Sequence, residues 1–88
     1  MKSFHYTEPF KKDYETLPRE IKRALDKALK LLLENPSHPS LQTRKLPHTF
    51  IWYARLTRGY RLTFQVQENL IILRRVGTHK ILDFERKN

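Results

Sequence analysis

The sequence predicts an α+β fold of β-α-α-β-β-β order, in which a helix hairpin packs on one face of a small, mainly antiparallel sheet. Two patterns and one number lead there. Between residues 18 and 34 the apolar side chains Ile21, Ala24, Leu25, Ala28, Leu29 and Leu32 recur every three or four positions, the stripe of an amphipathic helix. From Tyr60 to Val66 the alternation is strict, with Tyr60, Leu62, Phe64 and Val66 against Arg61, Thr63, Gln65 and Gln67, the signature of a strand with one buried face. A chain of 88 residues is room for one core, so residues 1–88 are expected to form a single domain.

Each element follows from local chemistry. Residues 2–7 alternate loosely around Phe4 and Tyr6 and read as an opening strand. Thr7 is a natural N-cap and Pro9 suits a first helical turn, so a short helix is expected over 8–14, packing Phe10 and Tyr14. Leu17-Pro18 breaks it, and the longer helix then runs to about Glu34, where Asn35-Pro36 forces the chain out of the α region. Residues 36–49, with Pro36, Pro39 and Pro47, read as an extended connection. A strand over 51–56, a turn at Thr57-Arg58-Gly59, the strand from Tyr60, a turn at 67–69 and an interior strand over 70–76 complete the sheet, with Gly77 as its end. The segment 78–88 is short, polar and mixed and is expected to add no more than one strand residue pair or a frayed helical turn.

Charge is unevenly spread. Lys and Arg number 18 against 9 Asp and Glu, a net charge of +9. Residues 1–36 mix eight basic and six acidic side chains, as an ordinary solvated surface does. Between Ser37 and Leu82 the only acid is Glu68, against Arg44, Lys45, Arg55, Arg58, Arg61, Arg74, Arg75 and Lys80. Interleaved with Trp52, Tyr53 and Tyr60, this half suits phosphates and stacked bases. No apolar run approaches the roughly 20 residues of a membrane span. Without cysteine or an apolar leader in Met1 to Tyr6, a cytoplasmic setting is the expectation.

The motifs exclude several chemistries. His5, His38, His48 and His79 are scattered, there is no HExxH and no cysteine pair, and no metal or other cofactor is expected. No P-loop, GxSxG or Gly-rich cradle occurs in a chain with two glycines. What remains is arginine, lysine, histidine and aromatic rings. Those groups suit cleavage of an RNA phosphodiester, in which the substrate supplies its own 2′-hydroxyl nucleophile, charge builds on a phosphorane, and the 5′-oxygen leaves with a proton. If Tyr60, Leu62 and Phe64 face the helices, Arg61 points to the open side of the sheet with Thr63 and Gln65. On the next strand, unbroken alternation puts Arg75 on the face of Ile71 and Leu73, and His79 follows just past the strand.

The segment Ile51-Trp52-Tyr53-Ala54-Arg55-Leu56-Thr57-Arg58-Gly59-Tyr60-Arg61-Leu62-Thr63-Phe64, followed by Val76-Gly77-Thr78-His79, resembles toxins of the RelE/ParE superfamily. His38-Pro39-Ser40-Leu41, Lys45-Leu46 and the element order fit as well, so the likeness covers nearly the whole chain. Members are small basic proteins encoded beside an antitoxin; most RelE-like ones cleave mRNA in the ribosomal A site, and ParE-like ones inhibit DNA gyrase. The resemblance implies that Arg61 contacts the scissile phosphate and that His79 occupies the functional position that is histidine in YafQ-like members. The strand lysines of RelE are missing, since Trp52 and Ala54 stand at that spacing. Acid–base work then falls on His79, with Lys45 or His48 as second candidates.

The expected function is therefore that of a metal-independent, ribosome-dependent mRNA endoribonuclease, the toxin of a type II toxin–antitoxin system. His79, Arg61 and Arg55 would be catalytic, and Arg44, Lys45, His48, Trp52, Arg58, Arg75 and Phe84 would hold RNA. Its partners would be an acidic antitoxin, mRNA and the ribosomal A site. The alternatives are a ParE-like gyrase inhibitor on the same fold and a non-catalytic RNA-binding module.

Overall fold

The computed structural model describes residues 2–87. Its elements are β1 (Ser3–Tyr6), α1 (Glu8–Glu15), α2 (Arg19–Glu34), a 3₁₀ turn at Pro39–Leu41, β2 (Arg44–Lys45), β3 (Trp52–Arg55), β4 (Tyr60–Gln67), β5 (Leu70–Thr78) and α3 (Lys80–Lys87). The strands form one five-stranded sheet in the order β1-β5-β4-β3-β2. β1 lies parallel to β5 and every other pairing is antiparallel.

Thr7 joins the first strand to the first helix. Its hydroxyl accepts from the Phe10 amide at 3.4 Å, capping α1, and donates to the Leu73 carbonyl at 2.8 Å. Helix entry is thereby tied to β5. The stripe of α2 buries Ile21, Leu25, Ala28 and Leu32. Together with Phe10 and Leu17 these pack on Ala54, Leu62, Phe64, Ile71, Leu73 and Val76 of the sheet, forming the main core. Burying such side chains stabilises by roughly 1.5–3 kcal/mol each, less the cost of ordering them. α2 ends where expected, with Asn35 in extended conformation ahead of Pro36.

Three expectations about the elements are overturned. The C-terminal segment is not a frayed tail: Lys80–Lys87 is an α-helix whose Ile81 and Leu82 bury against Leu46 and Ile51, with Tyr53 packed alongside. Those partners lie some thirty residues upstream, so a short segment with two adjacent apolar residues gives no periodic signal of its own. The connection 36–49 is not wholly extended, because it contains the 3₁₀ turn and the edge strand β2. Gly77 does not end β5, which continues to Thr78; a Cβ at 77 would meet Ile81 Cγ2 at 3.0 Å, so the glycine lets α3 lie close over the strand.

Because α3 covers part of the second face, Thr63 is fully buried rather than open. Its hydroxyl donates to the Arg75 carbonyl at 3.4 Å. Arg75 also changes sides. Phe64 pairs with Leu73 but Thr63 pairs with Arg75, which leaves Arg74 as an extra residue and a bulge in β5. The bulge shifts the alternation by one, so Arg75 faces α3 with Thr63 while Val76 enters the main core beside Leu62.

Candidate functional site

The hairpin joining β3 to β4 assembles the site. Arg61 lies directly opposite Arg55 across the strand pair and opposite Gly77 on β5. Its guanidinium turns back onto the hairpin, where Nη1 donates to the carbonyls of Thr57 at 2.8 Å, Tyr60 at 2.9 Å and Arg58 at 3.4 Å. Arg61 is thus half-buried and anchored, not a freely solvated strand residue. All of these bonds use Nη1, which leaves Nη2 and Nε of the fork to meet an anion.

His79 occupies the single position between β5 and α3 and is exposed. Its Nε2 stands 3.3 Å from the Arg58 carbonyl, the oxygen Arg61 also contacts. A carbonyl only accepts, so Nε2 carries the proton of that contact, and in the neutral ring Nδ1 is the basic atom. Residues eighteen apart in sequence therefore converge on one backbone oxygen, with Arg55 and Arg58 beside them. Like charges directly opposite on neighbouring strands repel. Among the described residues the carboxylate pairs take Lys11, Arg74, Arg75 and Arg86, and none takes Arg55, Arg58 or Arg61.

Other sequence-predicted residues are distributed differently. Arg75 belongs to the same face, but Asp13 holds its Nε at 2.7 Å and its Nη2 at 3.1 Å. That hydrogen bond, opposed by partial burial, raises the guanidinium's pKa above its already high ordinary value. The exposed ring of Phe84 lies over it, centroid to Cζ 5.7 Å. Trp52 pairs with Phe64 and faces the helix hairpin, lining a small cleft with Pro36, Ser37, Thr43 and Val66. It is separated from Arg61 by the sheet itself. Arg44 pairs with Tyr53 and Lys45 with Trp52 on the edge strand. Lys45 and His48 flank the loop at the Trp52 end of β3, whereas Arg55 is at the other end, three strand steps or about 10 Å away.

Sequence reading missed Asp13, Glu85 and Phe50. Asp13 also accepts from the Val76 amide at 3.1 Å, filling the strand edge that β1 leaves open beyond Leu73. Glu85 is 3% exposed and holds Arg74 at 2.7 Å. Neither acid carries a local signal, since each is defined by a partner on another element. Among the described residues no three His, Cys, Asp or Glu side chains are grouped to hold a metal ion, and no helix is long and apolar enough to cross a membrane.

Comparisons place this geometry. YafQ from E. coli strain BL21(DE3) superposes with a TM-score of 0.76 at 18% identity, covering 93% of this chain and 98% of that one. The RelE-containing RelB–RelE antitoxin–toxin complex from Methanococcus jannaschii gives 0.74 at 23% identity, covering 90% and 95%. A YoeB/ParE toxin from Agrobacterium tumefaciens gives 0.75 at 17%, covering 90% and 99%. At such identities these likenesses establish the fold alone. No curated protein sequence matches significantly. The family model for the ParE toxin of the type II toxin–antitoxin system parDE matches residues 4–82, nearly the whole of the described chain, and the protein therefore belongs to that family of type II toxins, within the RelE/ParE superfamily.

Proposed function

We propose that this toxin is a ribosome-dependent mRNA endoribonuclease that works through cationic side chains and needs no metal of its own. The observation that carries the reading is the convergence of Arg61 and His79 on the Arg58 carbonyl, with Arg55 opposite Arg61 and no carboxylate among the described residues paired with these arginines. A phosphodiester placed there meets the free edge of the Arg61 fork. Attack of the 2′-oxygen on phosphorus builds negative charge on the nonbridging oxygens, which Arg61 and Arg55 offset. His79 moves the proton, taking it from the 2′-hydroxyl or giving it to the departing 5′-oxygen, and the products are a 2′,3′-cyclic phosphate and a 5′-hydroxyl. Because the hairpin carbonyls already hold the guanidinium, little reorganisation is required.

An acidic antitoxin would neutralise the protein by covering this cluster; the Methanococcus jannaschii relative is known as an antitoxin–toxin complex, which supports a partner of this kind. A second reading, gyrase inhibition on the same fold, draws on the family match itself. It assigns Arg61 only the role of clipping the hairpin. Purified toxin with a defined mRNA, with and without ribosomes, read by mapping cleavage ends, separates the two. Ribosome-dependent cuts that vanish in Arg61→Ala support the nuclease. Intact mRNA together with inhibited DNA supercoiling by gyrase supports the alternative.

A further inference from the structure

The loop between β2 and β3 carries a feature the reaction leaves unused. Phe50 is 81% exposed, although Leu46 and Ile51 on either side are buried beneath Ile81 and Leu82 of α3. The exposure is built in. The Leu46 amide donates to the Ile51 carbonyl at 2.9 Å, the Thr49 hydroxyl to the Leu46 carbonyl at 2.8 Å, and the Ile51 amide to the Thr49 hydroxyl at 3.1 Å. His48 takes a left-handed backbone, φ 63°, to close the turn. With Ile51 locked inward, the side chain before it is held outward. Lys45 Nζ stands 5.3 Å from the ring centroid. No Asp or Glu occurs between Glu34 and Glu68, so the loop that carries the ring holds basic residues and no acid.

We propose that Phe50 is a stacking platform for an unpaired RNA base, with Lys45 contacting the adjoining phosphate, as a binding subsite separate from the reaction centre. This rests on the RNA-directed reading above. An outward ring beside a cation is an arrangement that sequence-tolerant binding of single strands uses, since every base has a π-face and every nucleotide a charge. The subsite adjoins the Trp52 end of β3 and the reaction centre the Arg55 end, so the two stand about three strand steps apart along β3.

Fluorescence anisotropy with a labelled single-stranded RNA decamer, and with the same decamer carrying single abasic sites, tests this. Phe50→Ala is expected to weaken binding about 5- to 100-fold, the scale of one aromatic–base stack, while Phe50→Trp retains it within about threefold. One abasic position should reproduce the loss and add nothing further in Phe50→Ala, the non-additivity of a shared contact. Equal binding by wild type and Phe50→Ala, or no binding by either, overturns the subsite. So does RNA binding unchanged in Phe50→Ala alongside a weakened antitoxin complex, which would make the ring a protein contact. Phe50-dependent RNA binding by a toxin that cuts no mRNA on ribosomes would refute the nuclease reading and leave the subsite standing.

Discussion

Two sets of arginines share one sheet and are treated in opposite ways. At the bulge in β5, Arg74 is clamped by the buried Glu85 of α3 and by Gln65, and Arg75 by Asp13 of α1. Each uses its charge to join a helix to the sheet. At the β3–β4 hairpin, Arg55, Arg58 and Arg61 sit together with backbone carbonyls as the acceptors given to Arg61 and no carboxylate among the described residues. Carbonyl dipoles orient a guanidinium without cancelling its charge, whereas carboxylates do both. A strongly basic composition therefore does not locate a polyanion site; the absence of counter-charges does.

The comparison predicts a graded series. Arg61→Ala carries the largest effect: cleavage on programmed ribosomes should fall about 10²- to 10³-fold, or ~2.7–4 kcal/mol of transition-state stabilisation. Because Arg61 also ties the hairpin, thermal unfolding should show a loss of about 1–2 kcal/mol, small enough to leave the protein folded at the assay temperature. Full toxicity at equal expression would remove Arg61 from the phosphate site. His79→Gln keeps a donor for the Arg58 carbonyl but cannot move a proton at Nδ1. Single-turnover cleavage should slow by about 100-fold with ribosome binding nearly unchanged. Weakened binding with a normal cleavage step would make His79 an RNA contact instead.

The paired arginines should respond in stability rather than activity. Glu85→Ala leaves Arg74 without its charge partner, and since Arg74 can still reach Gln65 and solvent the cost is about 1–3 kcal/mol, short of the full penalty for a broken buried pair. For a domain this small, that lowers Tm by roughly 5–15 °C in a calorimetric scan. An unchanged Tm would mean that the pair contributes nothing beyond packing. The smallest effect belongs to Asp13→Asn, which keeps an oxygen for the Val76 amide but loses the charge on Arg75; about 0.5–1.5 kcal/mol is expected, with cleavage within twofold of wild type. A large drop in cleavage would show that the α1 clamp positions the reaction centre.

The helix hairpin, the β3–β4–β5 meander and the basic second half were legible in the chain, because each rests on local periodicity, on a turn or on composition, whereas Arg61 and His79 stand out together only through the family resemblance. The 3.6-residue stripe of α2 and the two-residue alternation of β4 report burial on one face, and burial on one face is a property of the element alone. The remainder depends on partners distant in sequence. α3 becomes a helix only against Leu46 and Ile51, Thr63 is buried only because α3 arrives, and a single bulge at Arg74 reverses the side on which Arg75 appears. Trp52 is an RNA-contact candidate because it is an aromatic in a basic stretch, but that it lies on the face of Phe64, opposite Arg61, is decided by register, about which composition says nothing. The sequence by itself determined which side chains carry charge and which elements form; the tertiary structure alone decided which charges are cancelled, because ion pairing reaches across 62 positions from Asp13 to Arg75 while patterns read along the chain extend only a few residues.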